Sequence, residues 1–218
     1  MTLRGAAAAH AAHDAHAADD ADHFAQAIRA VVLLDDADLA QALALFAPRE
    51  LARGEYLLRA GERAEHVALV VRGLVREHFV MPDGTERTKA FVLAGQPTGS
   101  LADLLSGAPS KAFIVAEEPT RLLLASYAES VALTERCPGW RRFGERLIQR
   151  LLLLKAEREY ELLGMDAAER YRVFNERYPG LEARVAGRHV ASYLGITAVH
   201  LSRLRRRRRS RAREQAAL

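Results

Sequence analysis

Gly187–Leu204 reads GRHVASYLGITAVHLSRL and runs directly into five arginines, Arg205–Arg209. Val190, Ala191 and Leu194 fall on one face of a first short helix. Gly195 supplies a turn where a residue able to take positive φ is needed. Thr197 is placed to cap a second helix, whose Leu201 and Leu204 sit three apart on the side that packs back. Ala191 is small where the two helices must approach closely. Ala198, Val199, Ser202 and Arg203 then face outward, where a recognition helix meets base edges. The pattern is a helix-turn-helix. An ordinary helical hairpin explains the apolar spacing but not the charge. From Arg184 to Arg213 there are ten arginines and no acidic residue, whereas a merely solvated helix face mixes both signs. Double-stranded DNA is the partner this stretch points to.

The rest of the chain divides by charge. Of 218 residues with a formal net charge of +4, residues 1–137 carry 13 Lys and Arg against 19 Asp and Glu, and residues 138–218 carry 19 against 9. An acidic front and a basic back imply two tasks, with polyanion binding confined to the second. The single cysteine, Cys137, excludes an internal disulfide and a four-thiolate iron–sulfur cluster. No run of about 18 apolar residues spans a membrane, and the opening MTLRG is not a secretory leader. A prokaryotic cytoplasm is the expected compartment.

Residues 1–22, rich in Ala, His and Asp, read as a low-complexity, disordered tail. The spacing of His10, His13 and His16 beside Asp14, Asp19 and Asp20 also admits a frayed helix or a metal-binding tail. Residues 24–47 have helical periodicity, with Asp35 or Asp36 capping a second short helix. From about Pro48 to Thr120, short apolar runs alternate with glycines at 7- to 12-residue intervals, and Pro82-Asp83-Gly84 marks a hairpin between Val80 and Thr88. An antiparallel, jelly-roll-like β-roll over 23–137 follows, with a short helix, LADLLSG, inserted at 101–107. A long helix occupies 138–164. Its Phe143, Leu147, Leu151 and Leu154 repeat at four and three residues, the seam of a two-helix contact, so a homodimer is expected. Asp166 and Glu169 form a capping box that opens the helix-turn-helix domain of 165–218.

In this order, the glycine-spaced strands carrying GEYLLRAGE and RGLVREHFVMPDGTE, the segment GSLADLLSG, the long helix and HVASYLGITAVHLSRLRR resemble the Crp/Fnr family of bacterial transcription regulators. The resemblance covers roughly residues 24–209. It implies an α+β fold, with the β-roll as sensor, the long helix as dimerisation element and the helix-turn-helix as DNA reader. It also implies RNA polymerase as a further partner. In such a sensor a Gly-Glu-Leu and a later Arg-Ser-Ala or Arg-Thr-Ala cradle a cyclic nucleotide, glutamate on the ribose hydroxyl and arginine on the phosphate. The matching residues here are Gly99, Ser100 and Leu101, then Ser110, Lys111 and Ala112. Ser100 replaces the glutamate and Ser110 the arginine, and alternation turns Lys111 to the other face of the strand. Cyclic nucleotide binding in the family's manner is therefore not expected, the effector is unknown, and no cofactor is expected.

The family's winged helix-turn-helix continues into a β-hairpin. Here only nine residues follow Arg209, with no strand pattern, so the C-terminal wing is expected to be missing and the arginine run to take over its backbone contacts. The expected DNA-facing set is Arg188, Thr197, Ala198, Val199, His200, Ser202, Arg203 and Arg206. Of three base-contacting positions in the family's best-known pattern, only the arginine, Arg203, is kept. It can hold guanine O6 and N7 bidentately. An enzyme needs a nucleophile–base constellation or a metal set. His66, Glu77 and His78 are too sparse for one and read as exposed strand positions. The alternative from another class is a small-molecule-binding protein with a vestigial DNA-binding half, and the uncompensated arginines argue against it.

Overall fold

The computed structural model describes the backbone of residues 3–216 and the side chains of residues 16–208 and 210. Helices α1 (Leu3–Arg29) and α2 (Asp36–Leu43) precede a β-region of eight strands: β1 (Ala47–Leu51), β2 (Tyr56–Leu58), β3 (His66–Arg72), β4 (Leu74–Val80), β5 (Glu86–Leu93), β6 (Pro97–Thr98), β7 (Phe113–Ala116) and β8 (Thr120–Ser126). Helix α3 (Leu101–Ser106) interrupts the strands. After them come α4 (Tyr127–Arg136), α5 (Pro138–Gly164), α6 (Ala167–Arg177), α7 (Gly187–Leu194) and α8 (Ala198–Ala216). Two four-stranded sheets form, in the orders β1-β8-β3-β6 and β2-β7-β4-β5. By contacts the chain divides into one unit of residues 1–75 and 92–150 and a second of 76–91 and 151–218.

In the first unit, β3 and β8 are apolar on both faces, and the period of two sorts the residues. Ala68, Val70 and Leu122 point between the sheets, joining Leu51, Val75, Val92 and Ile114. Leu69, Val71 and Leu123 point the other way, into a core with Phe24, Ile28, Leu133, Cys137, Trp140 and Phe143 from the helices. Phe24, Trp140 and Phe143 stack in that core, the last two with ring centroids 4.8 Å apart. Burial pushes the Cys137 thiol above its ordinary pKa, as suits a packing residue. Between β3 and β4 the chain turns at Gly73 (φ +96°), where a Cβ would come within 2.7 Å of the Pro119 carbonyl oxygen. Only glycine fits there.

Of the readings the sequence admits for residues 1–22, the structure has a helix that continues past residue 22. Helix α1 runs through that point, because Asp20 has a partner 101 residues away. The Asp20 carboxylate, 5% exposed, takes two hydrogen bonds from Arg121 on β8, at 2.7 and 2.8 Å, and Arg121 also reaches Glu50 on β1. His10 and His13 lie outside the residues whose side chains are described. Among the described residues no group of His, Cys, Asp and Glu could hold a metal, and no helix is long and apolar enough to cross a membrane.

In the second unit, residues 76–91, the outer part of the β4–β5 hairpin, pack with the C-terminal helices. Phe91 lies within 6.3 Å, centroid to centroid, of Phe174, Tyr178 and Tyr193. Glu77 and His78 are not the exposed strand positions the sequence suggested. They are 6% and 1% exposed, with Glu77 held by Lys89 at 2.7 Å, whereas His66 is exposed. The hairpin turn itself follows the sequence: the Asp83 carboxylate accepts from Thr85 N–H at 2.9 Å.

Candidate nucleic-acid interface and effector cassette

The α7–α8 pair is built by packing on one side and capping at its joints. Helix α7 buries Val190, Ala191 and Leu194, and α8 returns Leu201 and Leu204 against it. Gly195 ends α7 in the left-handed conformation (φ 68°, ψ 33°), and the Ile196 N–H reaches back to the Ala191 carbonyl at 3.0 Å, the hydrogen-bond pattern that glycine permits at a helix end. The Thr197 hydroxyl accepts from the His200 N–H at 3.2 Å and so caps α8. Three neighbours fix α7 from outside. Arg158 donates to the Tyr193 carbonyl and lies 3.9 Å over the Tyr193 ring, and Arg170 donates to the Leu194 carbonyl at 2.9 Å. From the hairpin, the Thr88 N–H donates to Ser192 Oγ, which itself donates to the Glu86 carbonyl, both at 2.8 Å.

Every residue of the expected DNA-facing set, Arg188, Thr197, Ala198, Val199, His200, Ser202, Arg203 and Arg206, is exposed. Along α8, Val199, Ser202, Arg203 and Arg206 recur at three and four residues and form one face, and Val199 is 63% exposed. The arginine run does not all share that face. Arg205 donates to Glu182 at 3.0 Å, and Arg208 donates to the Asn175 side-chain oxygen. Side chains of Arg209, Arg211 and Arg213 lie outside the described residues. Among those described no strand follows α8.

A shared carboxylate organises the Glu86 neighbourhood. Its Oε2 lies 2.8 Å from Arg76 and 4.0 Å from both His78 and His189. Burial raises the Glu86 pKa, but the adjacent Arg76 charge and hydrogen bond, with the two histidines, outweigh it and leave the carboxyl below its ordinary value.

In the first unit, Gly99, Ser100 and Leu101 lead into α3. Ser100 and Ser110, 4% and 3% exposed, are brought together by a residue the sequence reading overlooked. Both hydroxyls donate to Oδ2 of Asp103, at 2.5 and 2.8 Å. Ser110 Oγ also accepts from the Ala112 N–H at 3.1 Å. Lys111 is exposed between buried Ser110 and Ala112. The Ser100-x-x-Asp103 spacing at the start of a short helix, a capping-box spacing, was the available clue.

The α5 seam also changes. Phe143 is buried in its own unit's core and Leu147 packs against that core, so both are engaged within the chain. Leu151 is half-buried and Leu154 is 44% exposed. The most open apolar positions of α5 are Ile148, Leu152, Leu153, Tyr160 and Leu163, at 50%, 66%, 65%, 64% and 82% exposure.

The family model for the cyclic nucleotide-binding domain matches residues 48–137. None of the curated proteins matches the chain in sequence. Among solved structures, FixK2 from Bradyrhizobium japonicum is 20% identical over 77% of this chain and 86% of its own, with a TM-score of 0.65. The catabolite activator protein of Thermus thermophilus is 25% identical over 82% and 85%, with a TM-score of 0.52. CLP of Xanthomonas campestris, a c-di-GMP responsive global regulator, is 18% identical over 82% and 93%, with a TM-score of 0.64. Residues 48–137 thus match the family model of the cyclic nucleotide-binding domain, and the chain that carries them is similar in fold to Crp/Fnr-type regulators.

Proposed function

We propose that this protein is a sequence-specific DNA-binding transcription regulator that works as a homodimer. The observation that carries the reading is the outward face of α8. Val199, Ser202, Arg203 and Arg206 are exposed in one row, and no acidic residue occurs between Arg184 and Arg213. In the major groove, Arg203 reads a guanine through O6 and N7, Val199 contacts a thymine methyl, and Ser202 accepts or donates to a base edge. Arg188 and Arg206 take phosphates. A second copy docks on the open row of α5 that includes Ile148 and Leu152, and its two-fold axis requires an inverted-repeat operator with half-sites about one helical turn apart. The sensor takes something other than a cyclic nucleotide held through its phosphate, because Asp103 already occupies both serines of the cassette.

Selection from random duplexes, run in parallel with the wild-type chain and Arg203→Ala, tests this. The wild type should yield an inverted repeat. Arg203→Ala should lose preference at one base pair per half-site, at roughly 1–3 kcal/mol. The same motif from both removes Arg203 from the readout, and no motif from either leaves only a vestigial DNA-binding half.

A further inference from the structure

The arginine run has two faces with different partners. Beyond Leu204, α8 carries no apolar residue until Ala212. Arginines three and four apart repel along a helix, which opposes arginine's good intrinsic helix propensity. The helix nevertheless reaches Ala216, about 28 Å from its start at the α-helical rise per residue. A connected network runs along its inner side. Arg205 donates to Glu182 Oε1 at 3.0 Å, and Tyr171 donates its hydroxyl proton to Oε2 of the same carboxylate at 2.9 Å. The Arg208 guanidinium lies 5.9 Å over the Tyr171 ring and donates to Asn175 Oδ1. Asn175 in turn donates to the Tyr171 carbonyl at 2.6 Å. Tyr171 is 5% exposed, so the network is anchored in the interior of α6.

We infer that Arg205 and Arg208 are positioning residues. They hold the extension of α8 against α6 and against the turn Leu181–Ala183, and thereby keep Arg206 and Arg207, which are exposed on the other side, aimed at the DNA backbone. The inference rests on the DNA-binding reading above and names which arginines touch phosphate and which do not. Gly187 belongs to the same device. A Cβ there would stand 3.1 Å from an Arg205 guanidinium nitrogen, so its lack of a side chain leaves room for that arginine at the start of α7.

The test uses the full-length chain and a duplex of arbitrary sequence, with affinity measured against salt. Each neutralised phosphate contributes about −0.9 to the log–log slope. Arg206→Ala should flatten the slope by about that amount. Asn175→Ala, which changes no charge, should flatten it by a similar amount or twice as much, as Arg206 and Arg207 lose their aim. Arg208→Lys should do the same despite keeping its charge, because an ammonium cannot reproduce a planar fork. The Asn175→Ala/Arg208→Ala double variant should be no weaker than Arg208→Ala alone. If Asn175→Ala and Arg208→Lys keep the wild-type slope while Arg208→Ala loses about 0.9, then Arg208 itself touches phosphate and the inference is wrong. Hydrogen exchange without DNA separates the two readings. Asn175→Ala should speed exchange of amides 206–210 by about tenfold, the loss of one charge-assisted hydrogen bond. Unchanged exchange overturns the anchoring. Faster exchange in a protein that does not bind duplex DNA at low salt confirms the anchoring, but overturns the DNA-binding reading and the aiming role with it.

Discussion

Cyclic AMP should fail to saturate this protein at millimolar concentration, and Asp103→Asn should restore measurable binding. A phosphate seated against Ser110 stands about 5 Å from the Asp103 carboxylate, since the two side chains share a 2.8 Å hydrogen bond. At an effective dielectric of about 20, two unit charges at that separation repel by about 3 kcal/mol. The missing arginine and glutamate remove a further 2–5 kcal/mol, the cost of an unpaired charged contact at a buried site. Together these weaken binding by between about four and six powers of ten relative to a matched cassette. A ligand that such a cassette holds at micromolar concentration would here need tens of millimolar or more. Asp103→Asn removes the repulsion and offers amide donors, so it should tighten binding roughly a hundredfold. Ser100→Glu and Ser110→Arg added to it should bring the affinity toward the micromolar range. Titration calorimetry covers the tight end and saturation-transfer NMR the weak end. A wild-type dissociation constant below about 10 μM refutes the electrostatic argument, as does Asp103→Asn binding no better than wild type while its thermal stability is unchanged.

The open row on α5 makes a second claim: Ile148→Glu with Leu152→Glu should yield monomers at micromolar concentration by light scattering and weaken operator binding. A wild-type monomer under those conditions contradicts it. Glu161, 4% exposed, sits between Arg158 and Arg177 at 2.7 and 2.5 Å. Glu161→Gln should therefore cost about 3 kcal/mol in urea denaturation, the lower end for breaking a buried pair, since Arg158 keeps Tyr193. A loss under about 1 kcal/mol would mean that the arginines reorganise freely. Glu86 is held below its ordinary value of 4.5. Its contribution to the second unit is thus fully present above pH 4.5 and is lost as acid titrates the folded carboxyl. Tyr178 and Tyr193 fluorescence should report an acid transition that Glu86→Gln removes, and an unaltered acid limb in that variant would show that Glu86 is not responsible.

What could be read from sequence was local. Gly195 between the apolar sets (Val190, Ala191, Leu194 and Leu201, Leu204), the Asp166–Glu169 box and Pro82-Asp83-Gly84 each state a backbone geometry within a few residues, and each forms as written. Readings failed where the partner is remote. Nothing in an Ala/Asp-rich segment reveals that Asp20 is to meet Arg121, and nothing in a strand pattern reveals that Phe91 is to meet aromatic rings more than 80 residues later. Phe143 and Leu147 carry a seam spacing that a coiled coil and a domain core satisfy equally. The arginine run looked uniform because composition has no faces; only the helix phase, set by Leu201 and Leu204, divides it.

The second unit is discontinuous in the chain, and this bears on how the protein is made. Residues 76–91 leave the ribosome about a hundred residues before Ser192 and Tyr193, the residues that bond and pack against them. During that interval Phe91 awaits the aromatic rings of the helices that pack against it, and closing so long a loop adds little further entropy but considerable delay. A C-terminal fragment that begins after the hairpin would lack one wall of its own interior. The second unit is therefore not a module that can be excised at a linker, and its assembly waits on a segment synthesised about a hundred residues after the hairpin.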